Sequence, residues 1–88
     1  MRQLATTKRF ERDLKRMRKR GKDLDKLFHV VEKLRLGEEL EPRHRPHTLT
    51  GNWKPFWELH VEPDWLLVYE PTDEVLYLVR TGTHADLF

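Results

Sequence analysis

The spacing of apolar positions changes character along this chain. Between Lys8 and Arg20 they fall at Phe10, Leu14 and Met17, steps of four and three that lay one stripe along a helix. Thr7 stands where its hydroxyl can accept from an unpaired N–H of the first turn, and Gly21 where a left-handed residue ends the last. A second helix follows, with Asp23 as its cap, Leu24, Leu27, Phe28, Val31 and Leu34 as its buried stripe, and Gly37 as its terminator. The short link between the two predicts a helical hairpin. From Glu38 to Thr50 the periodicity disappears and Pro42 and Pro46 appear, so this stretch reads as a loop carrying Arg43, His44, Arg45 and His47. Beyond Gly51 the period becomes two. Pro55 to Val61, Trp65 to Glu70 and Val75 to Thr81 predict three strands, separated by Pro63-Asp64 and by Pro71-Thr72-Asp73-Glu74. Met1 to Thr6 alternate enough for one more. The predicted fold class is α+β: an N-terminal strand, a two-helix hairpin, then an antiparallel sheet meander with the helices on one face.

Strand geometry assigns faces. Along 55–61, Trp57, Leu59 and Val61 point one way and Phe56, Glu58 and His60 the other. The aliphatic set belongs against the helices. Glu58 and His60 then stand about 7 Å apart on the face the helices leave open.

Composition narrows the classes. With 88 residues, 36% of them charged and 38% hydrophobic, the chain has material for one core, hence a single domain over 1–88. The absence of Cys excludes a disulfide framework, a zinc ribbon and a thiol nucleophile, and a reducing cytoplasm is the expected location. No apolar run approaches the roughly 18 to 20 residues that span a bilayer, and Met1-Arg2-Gln3-Leu4 does not open a signal peptide. The formal charge of +2 conceals a division: residues 1–36 hold 13 Lys/Arg against 5 Asp/Glu, whereas 37–88 hold 4 against 10. A strongly basic half predicts a surface for a polyanion.

The acidic half carries the candidate chemistry. Of the five histidines, His29 and His44 read as a helix-boundary residue and a solvated loop residue. His47, His60 and His84 each lie at or beside a strand with carboxylates, Arg or Gly nearby. A meander brings those strand ends to one edge, where a single cleft would gather His47, Glu58, His60, Asp64, Arg80 and His84. Imidazoles, carboxylates and an Arg without a paired Ser, Cys or Lys point to general acid–base chemistry rather than a covalent intermediate. RNA cleavage fits this set. One group takes the 2′-OH proton, another protonates the leaving 5′-oxygen, and a cation steadies the phosphorane; RNA supplies its own nucleophile, so no metal or other cofactor is required. A competing metal site built from His44, His47, His60 and Glu58 lacks any recognised zinc spacing. Trp53, Trp57 and Trp65 read as core or rim packing, while Phe88 is placed to stack on a base beside His84.

Three stretches together resemble a known family. They are His47-Thr48-Leu49-Thr50-Gly51-Asn52-Trp53-Lys54, the run from Glu58 through His60-Val61-Glu62-Pro63-Asp64-Trp65 to Tyr69, and Arg80-Thr81-Gly82-Thr83-His84-Ala85-Asp86-Leu87-Phe88. Their order and spacing are similar to the YafQ branch of the RelE toxin superfamily, and the helical hairpin before them has the expected length. The resemblance implies the RelE-like microbial RNase fold and the toxin of a type II toxin–antitoxin system. It implies a ribosome-dependent endoribonuclease, an mRNA interferase that cuts message in the A site without metal and so inhibits translation. By position it implies His47, His60, Asp64 and His84 as the catalytic set, with Trp65 and Phe88 involved in activity and Arg80 contacting phosphate. Glu58 stands where this branch usually has Asp, so its catalytic role is the part of the set on which the chain departs from the family pattern. The implied partners are a cognate antitoxin, commonly in a heterotetramer, the ribosome with its mRNA, and operator DNA only through the antitoxin, with no membrane. The alternative from another class is a non-catalytic ribosome- or RNA-binding inhibitor using the same basic helices.

Overall fold

In the computed structural model, which describes residues 1–88, the chain forms β1 (Gln3–Thr6), α1 (Lys8–Lys19), α2 (Leu24–Leu36), β2 (His47–Thr48), β3 (Trp57–Glu62), β4 (Trp65–Pro71), β5 (Val75–Gly82) and α3 (His84–Leu87). The caps act as their sequence predicts. Thr7 Oγ1 accepts from Phe10 N at 2.9 Å, Asp23 Oδ1 from Asp25 N at 3.0 Å, and Gly37 closes α2 at φ 73°. Thr7 also donates to Val79 O at 2.7 Å, so the residue that starts α1 also satisfies the edge of β5.

The strands form one sheet in the order β1-β5-β4-β3-β2. β3, β4 and β5 are the expected meander, but β1 runs parallel to β5, pairing Gln3 with Val75 and Thr6 with Leu78. The sheet is therefore mixed rather than wholly antiparallel. The helical pair carries the chain over the sheet between β1 and the meander, which frees β1 from hairpin geometry. Helices α1 and α2 cover one face, where Phe10, Met17, Leu27, Val30 and Val31 meet Leu59, Val61, Trp65, Leu67, Leu76 and Leu78. Leu59 is buried and Trp57 packs against the same cluster, so β3 faces as its alternation predicts. Phe28, expected in the α2 stripe, is 47% exposed, and Val30 is buried in its place. The 3.6-residue period puts Leu27, Val30, Val31 and Leu34 on one face and turns Phe28 out.

The opposite face is less open than expected. Leu66, Val68 and Leu87 form a small second cluster there, partly roofed by Leu49, Trp53, Phe56 and Val79. The segment that follows β2, from Leu49 to Phe56, supplies most of this roof, and α3, which follows the last strand, supplies Leu87; β2 lies inside the predicted loop. Both β2 and α3 are too short to show a period of their own.

Two register shifts set what the site receives. On β5, Arg80 pairs with Val68 and Leu78 with Tyr69, so Val79 is an extra residue. Since side chains alternate, that bulge turns Arg80 to the face of Glu58 and Val68 and sends Thr81 inward. On β3, the step from His60 to Glu62 is matched by one residue on β4, which places a bulge at the turn carrying Pro63 and Asp64.

Candidate active site

His47 lies on β2, His60 near the end of β3, Asp64 in the β3–β4 turn and His84 at the first position of α3. The sheet order brings them into a row. Ring centroids are 6.4 Å apart for His47 and His60, and 5.9 Å for His60 and His84. The Nδ1 atom of each ring is already engaged. His47 Nδ1 lies 2.9 Å from Arg45 O, His60 Nδ1 3.2 Å from Pro63 O, and His84 Nδ1 2.6 Å from Asp64 Oδ1. Carbonyls and carboxylates only accept, so in all three rings Nδ1 must carry the proton. That leaves Nε2 in each as the nitrogen able to take up or release a proton at a substrate.

Asp64 is the principal orienting group. A single oxygen, Oδ1, accepts from both the backbone N of His84, at 3.0 Å, and its ring. These two bonds, the backbone one first, hold the Asp64 carboxyl below its ordinary range, so it stays an anion through neutral pH. Glu58 is buried and its Oε1 lies 3.7 Å from His47 Nε2, beyond a hydrogen bond. The carboxylate thus approaches His47 rather than His60, its neighbour on the same face of β3, because β2 pairs His47 directly with Glu58. The Pro63 carbonyl fixes His60.

Two residues expected to contact substrate, Trp65 and Arg80, also carry structural bonds. Trp65 is wholly buried in the main core, and its Nε1 donates to Thr81 Oγ1 at 2.9 Å. It supports the strand beneath the site, with its ring closed off from solvent. Arg80 is on the correct face but its guanidinium is committed: Nε and Nη2 donate to Asp13 at 2.7 and 3.1 Å. That bond keeps the guanidinium protonated even more firmly than usual. Asp13 also accepts from Thr81 N at 3.2 Å, beyond the point where β1 leaves the edge of β5 uncovered. Phe88, expected to stack on a base, is 58% exposed and its ring lies 5.0 Å from that of Trp53.

Sequence reasoning missed three residues. His44, expected to be solvated, is buried, with Nδ1 2.6 Å from His60 O, and so braces the strand carrying His60. Asp13 sits three residues from Phe10 and four from Met17, on the apolar stripe itself; an acidic residue on that face was the available signal. Asp86 was legible as the third residue after Thr83, which it joins in a capping box. Gly82 is required here, since a Cβ would lie 2.9 Å from Asp86 Cβ and Oδ2.

The charge division is also partly neutralised by folding. Arg20 binds Asp86, and Lys22 and Lys26 both bind Glu62. Beside the site a groove of about 260 Å³ is lined by Arg9, Arg12, Arg16 and Arg80 around Asp13. A separate cleft of about 1000 Å³ reaches His60 and Asp64, with Lys22, Lys26, Arg43 and Arg45 alternating with Asp23, Asp25 and Glu62 along its wall. Cations therefore gather around Arg80 and, mixed with carboxylates, around His60. No three His, Asp or Glu side chains are gathered closely enough to chelate a metal.

Comparison with known proteins agrees with this geometry. Residues 2–88 match the family described as bacterial toxin of type II toxin-antitoxin system, YafQ. The chain belongs to the YafQ toxin family. It is 42% identical to the mRNA interferase toxin YafQ of Escherichia coli K12 over 80 residues, 90% of this chain and 87% of that one. Among solved YafQ-like structures, the DinJ-YafQ toxin-antitoxin complex of E. coli is similar at 40% identity and TM-score 0.91, covering 99% of this chain and 97% of its counterpart. A toxin from Helicobacter pylori described as metal-bound matches over both full chains at 42% identity and TM-score 0.93. In this YafQ-family chain, no helix is long and apolar enough to cross a membrane.

Proposed function

We propose that this toxin performs its family's mRNA-interferase reaction by metal-independent acid–base attack of the RNA 2′-OH on the adjacent phosphate, on message held in the ribosomal A site. The observation that carries the reading is the row of three imidazoles whose Nδ1 atoms are all bonded to acceptors. One Nε2 takes the 2′-OH proton and another, protonated, gives a proton to the leaving 5′-oxygen. The products are a 2′,3′-cyclic phosphate and a 5′-hydroxyl. His60 and His84, 5.9 Å apart, are spaced to reach the two oxygens on either side of one phosphate. Asp64 stabilises the imidazolium of His84, as an adjacent anion does. Each proton transfer contributes about 10²- to 10⁴-fold.

Glu58, buried 3.7 Å from His47 Nε2, stands beside that ring rather than meeting substrate, and Phe88 with Trp53 offers an aromatic surface to a neighbouring base. Arg80, steadied by Asp13, presents its charge to the phosphate from the groove it shares with Arg9 and Arg12. The cations of the groove and the cleft hold the RNA backbone. A cognate antitoxin, the class of partner seen in the DinJ-YafQ complex, keeps the toxin inactive in the cytoplasm. The operator is reached only through that partner.

The test is a defined message on translating ribosomes. Discrete cuts with 5′-hydroxyl ends are expected, persisting under EDTA at a level that leaves the ribosome intact, and vanishing when the cut nucleotide is 2′-deoxy. Inhibition of translation with uncut message would replace this reading by a non-catalytic ribosome binder. Loss of cutting under those EDTA conditions would replace it by metal-assisted hydrolysis.

A further inference from the structure

We propose that Arg20 and Asp86 are positioning residues for His84, an ion pair that locks the C-terminal turn into the orientation the cleavage reaction needs. The inference rests on the reading of His84 given above. Helix α3 has four residues, far below the length at which a helix holds itself in water. Its geometry must come from outside, and three contacts supply it. Leu87 is buried beside Leu66 and Val68, Asp64 binds His84 twice, and Asp86 ties the turn to α1.

The Asp86 contact is the most fully built. Its Oδ2 accepts from Arg20 Nη1 at 2.6 Å and from Thr83 N at 2.9 Å, and its Oδ1 accepts from Arg20 Nη2 at 3.0 Å. Asp86 N in turn donates to Thr83 Oγ1 at 3.2 Å. The Asp86 side chain is 10% exposed and closely seated on Gly82, so the carboxylate has little room to move. Arg20 is the C-cap of α1 and lies 66 residues away in sequence, so the pair clamps the end of the basic helix to the turn carrying His84. A guanidinium that grips a carboxylate with both edges fixes direction as well as distance. Removing it frees the turn to rotate about Gly82 and lets the His84 ring leave the row.

The competing assignment for Arg20 is an ordinary RNA-binding cation, since it belongs to a strongly basic helix and is 42% exposed. The two roles separate in kinetics. Full-length toxin is assayed by single-turnover cleavage on programmed ribosomes, with variants Arg20→Gln, Arg20→Lys, Asp86→Asn and the Arg20→Gln/Asp86→Asn double. A positioning role predicts a rate constant lowered about 10- to 100-fold in both Arg20→Gln and Asp86→Asn, with half-saturation little changed. The double variant falls no further than either single, because both remove one interaction. Arg20→Lys recovers part of the rate. Ring NMR of His84 shows the Nδ1 proton exchanging faster in Asp86→Asn, a readout independent of cleavage, and circular dichroism confirms that each variant is folded. If Arg20→Gln does not fold, Arg20→Lys and Asp86→Asn carry the same comparison. A raised half-saturation with an unchanged rate in the Arg20 variants, or a wild-type rate in Asp86→Asn, overturns the proposal. His84→Ala distinguishes the levels: if it is inactive while Arg20→Gln and Asp86→Asn cut at the wild-type rate, only the clamp fails. If His84→Ala cuts normally, the reading of the site fails with it.

Discussion

Substituting Asp13 by Ala should destabilise this protein more than any other change of a charged residue on α1. Asp13 is 3% exposed and accepts from Arg80 twice, from Thr81 N and from Arg16. Its removal leaves the Arg80 guanidinium, whose side chain is 12% exposed, without a counter-charge, and leaves the Thr81 N–H without an acceptor. Breaking one partner of such a pair costs about 3–5 kcal/mol. An 88-residue domain has roughly 4–13 kcal/mol in total, at about 0.05–0.15 kcal/mol per residue. At about 4–8 °C per kcal/mol, even the lower cost of about 3 kcal/mol depresses Tm by about 12–24 °C. The contribution of Arg16 is different in kind, because its side chain is 41% exposed; Arg16→Ala should cost less than about 1 kcal/mol. The pairing of Asp13→Leu with Arg80→Met removes both charges together and should recover most of the loss. Urea unfolding followed by circular dichroism measures all three variants. An Asp13→Ala cost below about 1 kcal/mol, or equal to that of Arg16→Ala, refutes the claim that Asp13 neutralises Arg80 in the fold.

Asp86 makes acid stability predictable. Arg20 foremost, then the backbone and hydroxyl of Thr83, hold its carboxyl well below the ordinary range against the opposing effect of burial. Its contribution is complete above the unfolded value of about 3.9 and is lost as pH falls through the folded value, so wild-type stability should decline more steeply than that of Asp86→Asn on acidification below about pH 4. Parallel slopes in urea titrations would refute it. Trp65→Phe removes the indole N–H that binds Thr81 and should cost about 1–3 kcal/mol while leaving the RNA concentration for half-maximal cleavage unchanged. A raised half-saturation at wild-type stability would show that Trp65 touches RNA after all. Burial pushes the Tyr69 phenol up to about 12, so absorbance at 295 nm should show it still protonated at pH 11.

The helices and the meander were legible because each is long enough to repeat its period. Phe10, Leu14 and Met17 mark one face of α1, and Trp57, Leu59 and Val61 one face of β3. The site was legible as a set of residues because the order of strands alone brings His47, His60 and His84 to one edge. Its internal pairing was not. Whether a carboxylate meets His47, His60 or His84 depends on the register of a two-residue strand and on bulges at Val61 and Val79, and no periodicity shows in so few residues. The same bulge explains Arg80, which reaches the site face only because Val79 is extra. His44 was misread and Asp13 passed over for another reason. Polar residues are mostly exposed, and only the structure shows that each is buried against a specific partner, Arg80 for one and the His60 carbonyl for the other.

The central claim is that proton transfer by the histidine row cuts the message, and His84 tests it most directly. His84 is exposed, so His84→Ala should keep the fold. Single-turnover cleavage on programmed ribosomes should fall by about 10²- to 10⁴-fold, the range of one lost acid or base. A His84→Ala toxin that cuts at the wild-type rate, with the same 5′-hydroxyl ends, would contradict the account.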